Sequence, residues 1–147
     1  MKITVNQIMV WNPCHEYTKE RVTKLIGKGK TPLQIAKLKI PAQDILWVLL
    51  REEIIPAREL HLLACDFAQA VAHLNLDPRV QAAIDAKRLW VDGKITNEQL
   101  SAAGAAARAA REAAGAAALA ALAAAGAAWA AQLKMVVKVL KKLEADK

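Results

Sequence analysis

Apolar residues recur along this chain at intervals of three and four, the spacing of one helical face. No segment shows the sustained alternation of a half-buried strand. Residues 56–74 show the pattern well: Leu60, Leu63, Phe67, Ala70, Val71 and Leu74 share one side of a helix. The run "ILWVLL", Ile45 to Leu50, is apolar all round and is predicted to be the most buried element. Together these two segments are expected to form the core.

Helix punctuation falls between the apolar runs. Thr31 is a cap ahead of Pro32, and Pro41 and Pro56 stand where the first turns of two further helices begin. Asp77 and Pro78 open a helix that Gly93 stops. Thr96 and Gln99 have the spacing of a capping box, and Gly27 ends a helix running through "EYTKERVTKLIG". The reading is an all-α fold of six or seven helices with short connections. Residues 1–95 are expected to form a helical bundle and 96–147 a long Ala/Gly-rich helix packing on the bundle or on a second copy.

That tail is unusual in composition. Gly104, Gly115 and Gly126 stand eleven residues apart, which is about three helical turns, so they fall nearly in line. Leu119, Leu122, Trp129, Leu133, Val136, Val137 and Leu140 lie in the same stripe. Alanine elsewhere favours the helix and offsets a cost of about 1 kcal/mol for each interior glycine. It also keeps the rod thin. Unbroken from Asn97 to Asp146, the helix would measure about 75 Å, whereas a compact domain of this size has a radius of gyration of about 15 Å. The helix therefore either projects and buries its stripe against a second copy, or folds back near a glycine. Projection with self-association is expected, because no proline or polar turn interrupts the tract. The interface would use Gly104, Gly115, Leu119, Leu122, Gly126, Trp129, Leu133 and Leu140.

Charge sharpens the picture at the other end. The net formal charge of +7 divides into +5 over residues 1–50, −2 over 51–100 and +4 over 101–147. The basic stretch runs from Lys19 to Lys39, and an anionic partner suits it. Lys24, Lys28, Lys30, Lys37 and Lys39 are the candidates for phosphate contact in a nucleic-acid-binding reading. "TPLQIAKLKIPAQDILWVLL" is also similar to a helix-turn-helix, but its second helix offers base edges only Gln43 and Asp44 on an apolar body. That helix belongs inside.

Chemistry is harder to find. Cys14 and Cys65 read as free thiols in a reducing compartment, and the first residues lack a secretory signal pattern, so the cytoplasm is expected. His61 and Cys65 are one turn apart beside Asp66, and Cys14 adjoins His15. Neither pair has the spacing of a zinc site or the surroundings of a catalytic nucleophile. "GKGK" lacks the length of a phosphate loop and its following Ser or Thr. No cofactor, metal or enzymatic activity is expected. Ala113 to Leu133 carries no charge and is long enough to cross a bilayer, yet alanine contributes little to insertion. A span is not expected, and a membrane-associated helix is the third reading. The eleven-residue alanine period is shared with helical antifreeze proteins, but the tract has none of their threonines.

"DILWVLLREEIIPARELHLLACDFAQAV", then "AAIDAKRLWVDGKITNEQLSAA" and an alanine tail, resembles a group of small phage and bacterial proteins labelled as immunity proteins. The resemblance covers roughly residues 41–131 and rests on composition and order. In such relatives the tail often has an aromatic where this chain has glycine. It implies a small intracellular protein acting by binding another macromolecule, with no catalytic residues to carry over. The expectation is thus a non-enzymatic interaction protein, an immunity or anti-defence factor, that self-associates and binds a protein partner.

Overall fold

The computed structural model describes residues 1–74, 76–113 and 125–146, and the backbone alone at 111–113 and 125–127. The chain is all-α. Its helices are α1 (Val5–Val10), α2 (Lys19–Ile26), α3 (Pro32–Ile35), α4 (Ala42–Leu49), α5 (Ala57–Val71), α6 (Pro78–Val91), α7 (Asn97–Ala113) and α8 (Ala125–Ala145), with a 3₁₀ turn at Ala72–Leu74. Two compact units emerge, Met1–Ile55 with Trp129–Lys147, and Pro56–Ala128. This grouping differs from the division at residues 95 and 96. It places Ile45–Leu50 and the α5 face in separate units.

In the first unit, short helices are started by their own side chains. Thr31 accepts from the Gln34 amide at 3.3 Å while Gln34 accepts from the Thr31 amide at 2.9 Å. Thr4 and Gln7 repeat this reciprocal pair at the head of α1. The chain is pinned just ahead of each of these two caps, where Ile3 and Lys30 exchange backbone hydrogen bonds of 2.8 and 3.1 Å. Gly29 makes that pairing feasible. Its φ is +108°, and a Cβ there would stand 3.2 Å from the Ile3 carbonyl oxygen. Ile3, Ile8, Val22, Ile26, Ile35, Ile45, Leu46, Val48 and Leu49 are all buried. Branched aliphatic side chains thus supply most of this core.

The helix of "ILWVLL" differs from expectation in its exposure. Trp47 is 39% exposed, so the run is not buried all round. The helix also stops at Leu49, ahead of the "REE" that follows. Leu50 takes φ −83° and ψ +63°, and the Arg51 amide donates to the Leu49 carbonyl at 3.0 Å, an inverse γ-turn. The turn frees Arg51 from the helix. Its guanidinium lies 4.3 Å from the Trp11 ring centre and 4.4 Å from that of Trp47.

The last helix, α8, belongs to this same unit from Trp129 onward. Val136 is fully buried and Leu140 is 4% exposed, so the distal apolar stripe is covered by the chain's own unit. Residues 114–124 lie outside those described, and with them the question of whether the tail is one helix or folds back.

In the second unit, α6 packs against both α5 and α7. Its opening matches the sequence: Asp77 caps the helix, accepting from the Arg79 amide, and Pro78 follows. The chain turns out of α6 at Gly93, whose φ is +69°. Thr96 and Gln99 then form the expected capping box. Leu63, Cys65, Ile84 and Ala110 are buried, a thinner core than that of the first unit. Polar side chains knit its helices together. Gln69 and Gln81 exchange amide hydrogen bonds of 2.9 and 3.0 Å, and Arg88 pairs with Asp66 at 3.0 Å. Of the expected α5 face, Leu63 is buried and Phe67 half-buried, but Ala70, Val71 and Leu74 are exposed. The apolar pattern there runs past the end of what α6 covers.

Candidate binding cleft

Short helices cannot close completely around one another, because each presents only one or two turns of side chain to its neighbours. In the first unit, α2, α3, α4 and the chain before α2 leave a cleft of about 350 Å³. Ile8, Val22, Ile26, Ile35 and Val48 reach it from the core, and Leu25, Leu38 and Ile40 add aliphatic walls. Trp47 and Trp129 line it too and stay 39% and 38% exposed. This volume and this apolar lining are those of a ligand or side-chain pocket. Exposed tryptophan beside half-buried leucine is also the composition of an interaction patch rather than of a solvated face.

One polar pair sits in the lining. The Tyr17 hydroxyl donates to the Asp44 carboxylate at 2.6 Å, across 27 residues of sequence. Burial, then the hydrogen bond to Asp44 and its negative charge, push the Tyr17 phenol up to about 12. The Arg21 guanidinium, 4.4 Å from the Tyr17 ring centre, opposes this only in part. Tyr17 is therefore a neutral donor at physiological pH and Asp44 is occupied by it. The cleft otherwise offers Gln43 and the exposed Cys14 as polar groups.

The basic residues singled out by the sequence flank this lining. Lys24 precedes Leu25, and Lys37 and Lys39 stand on either side of Leu38. Lys24 pairs with Glu20 at 2.8 Å on the open surface of α2. Lys28, Lys37 and Lys39 are exposed, and Lys30 is half-buried at the pairing with Ile3. The helix-turn-helix likeness does not survive in three dimensions. The first of its helices, α3, is four residues long, and Ile45, Leu46, Val48 and Leu49 commit α4 to the core.

The glycine stripe fares differently along its length. Gly104, on α7, is half-buried, and a Cβ there would meet only the Arg108 guanidinium at 3.8 Å. No neighbouring helix among the described residues uses the close approach it permits. Gly115, Leu119 and Leu122 lie outside the described residues, and Gly126 is described by its backbone within α8. Trp129 lines the cleft, Leu133 is half-buried and Leu140 is in the core. Leu140 is thus covered within its own unit.

In the second unit, His61, Cys65 and Asp66 each pack or pair with other residues of that unit. His61 meets Trp90 edge-on with ring centres 5.2 Å apart, and Asp66 pairs with Arg88. Cys65 is buried, and burial raises its thiol above the usual range, which favours the unreactive protonated form. Trp90 is the hub here. Its indole N–H donates to Asn97 at 2.7 Å, and the Lys87 ammonium stands 3.8 Å from its ring centre. Among the described residues no three His, Cys, Asp or Glu side chains gather to hold a metal ion. Among them also no helix is long and apolar enough to cross a membrane.

Comparison with known proteins adds no relative: no family model, curated protein or solved structure matches this chain.

Trp129 and the lysines stand out in the sequence as interaction candidates, whereas Trp47, Tyr17, Leu38 and Arg51 do not. Tyr17 and Asp44 meet only through the fold, and no spacing announces them. Trp47 had a signal, being the one residue of "ILWVLL" with a polar N–H, a type often placed at a half-wet surface.

Proposed function

We propose that this chain is a non-enzymatic interaction protein that binds a protein partner through the cleft of its first unit. The observation that carries the reading is the pair of exposed tryptophans, Trp47 and Trp129, on an aliphatic cleft of about 350 Å³. Large apolar side chains that stay wet in the free chain gain free energy when a partner covers them, about 25 cal/mol for each Å². Aromatic anchors in such pockets dominate interface energetics. Cys65 and His61, the pair that a catalytic reading would need, are engaged in packing the second unit. A role as an immunity or anti-defence factor in the cytoplasm accords with this mode of action and rests on the resemblance of residues 41–131.

The reading shifts the interface away from the glycine stripe, since Leu140 is covered within its own unit. Self-association through the tail becomes secondary. The test compares Leu38→Asp with the parent chain, both verified as folded by circular dichroism. Proteins co-purifying from the native host with the parent and absent from Leu38→Asp support the cleft. A set of co-purifying proteins unchanged by Leu38→Asp and by Trp47→Ala would remove it.

A second reading draws on the exposed Lys28, Lys37 and Lys39 as phosphate contacts. It predicts binding to nucleic acid that falls steeply with salt and is insensitive to Leu38→Asp.

A further inference from the structure

The cleft is apolar, but its surroundings carry one sign of charge. Six lysines and one arginine stand between residues 19 and 40 against a single acid, Glu20. Glu20 is paired with Lys24 at 2.8 Å. Asp44, the one carboxylate in the lining, accepts from Tyr17 at 2.6 Å. Glu20 and Asp44 are therefore engaged internally, while Glu16, beside Tyr17, is exposed. Lys28, Lys37 and Lys39 form no ion pair among the described residues and are exposed. Lys37 and Lys39 bracket Leu38, so cation and apolar wall are delivered by the same short segment.

Resting on the binding reading above, we propose that the cleft's partner is an acidic peptide segment: large apolar side chains seated against Leu38, Trp47 and Trp129, flanked by Asp or Glu facing Lys37 and Lys39. Charge complementarity of this kind acts chiefly on encounter rate and on rejection of wrong partners, and apolar burial supplies the affinity. A nucleic acid fits less well. Base stacking needs open aromatic faces, and one face of Trp47 is taken by the Arg51 guanidinium at 4.4 Å. Beyond the Tyr17–Asp44 pair, the lining offers base edges only Gln43 and Cys14 as polar side chains. A basic peptide would meet like charge at the lysines.

The test uses the full chain and labelled, tryptophan-free peptides followed by fluorescence anisotropy. One peptide carries Leu and Phe flanked by Glu, a second has Lys for each Glu, and a third has Ser for each apolar residue. A single-stranded DNA of about twelve nucleotides completes the set. Expected is binding of the Glu-flanked apolar peptide, at least about tenfold weaker binding of the Lys-flanked one, and loss with Ser. Leu38→Asp abolishes the binding, and the pair Lys37→Glu and Lys39→Glu narrows the discrimination between the first two peptides. Equal binding of the Glu- and Lys-flanked peptides would overturn the acidic preference and leave the cleft standing. Failure of both apolar peptides would overturn both proposals. Displacement of the acidic peptide by the DNA, with the Ser peptide still bound, would replace a protein partner by nucleic acid.

Discussion

The Arg51 guanidinium lies 4.4 Å from the centre of the Trp47 ring, with Trp11 at 4.3 Å also in contact. Trp47 is a wall of the cleft, so Arg51 packs against a residue of its lining. The arrangement depends on α4 ending at Leu49, because an Arg51 still in the helix would follow its winding instead of the inverse γ-turn at Leu50. The Arg51 Nε is buried without a hydrogen-bond partner among the described residues, beside its contacts with the two rings.

Replacing Arg51 by alanine removes two cation–π contacts and is expected to destabilise the chain by about 1–2 kcal/mol. Arg51→Lys should recover only part of this, since a compact ammonium cannot stack flat between two rings. Urea denaturation of the three proteins, followed by circular dichroism, reads the series. Equal midpoints for all three would show that the stack carries no stability.

Tyr17 is the only tyrosine in the chain, so tyrosinate absorbance reports on it alone. Its midpoint should lie at about 12 instead of 10.0. The folded value is raised, so the folded state favours the neutral phenol. The associated stability is complete below pH 10 and declines as pH rises toward about 12. Tyr17→Phe loses the hydrogen bond to Asp44, an expected cost of about 1–2 kcal/mol at neutral pH. Its stability should also lack the alkaline decline that belongs to this phenol. A parent midpoint at the ordinary tyrosine value would contradict the Tyr17–Asp44 contact.

Gly29 tests the pairing that ties the first residues to the chain ahead of α3. An alanine there must adopt φ +108° with its Cβ 3.2 Å from the Ile3 carbonyl oxygen. The strain is expected to cost about 1–3 kcal/mol. Hydrogen exchange at the Ile3 and Lys30 amides should accelerate in Gly29→Ala more than exchange in α6. An unchanged denaturation midpoint would show that the pairing adds nothing.

Much of the fold was legible because its signals are local. Thr31 with Pro32, Asp77 with Pro78, Thr96 with Gln99, and the stops at Gly27 and Gly93 each act through neighbours within four residues, and each is found where expected. The same logic would have found α1 from Thr4 and Gln7. Tertiary grouping was not legible. Helical periodicity states which side of a helix is apolar but not which helix covers it, so Val136 and Leu140 could not be assigned to the unit of residues 1–55. The cleft lay further still from the sequence. Its lining gathers residues from position 8 to 129, and its polar pair spans 27 residues. Only the lysines beside it, concentrated in one stretch, were visible as composition.

The cleft and the glycine stripe make opposite claims about where a partner touches, and site-specific photo-crosslinking in the native host separates them. A photoreactive residue is placed at Leu38 in one protein and at Gly104 in another, and the adducts are identified by mass spectrometry. The account predicts one heavier species from position 38, suppressed by Trp47→Ala, and none from position 104. An adduct formed at position 104 alone, with position 38 silent, would contradict it.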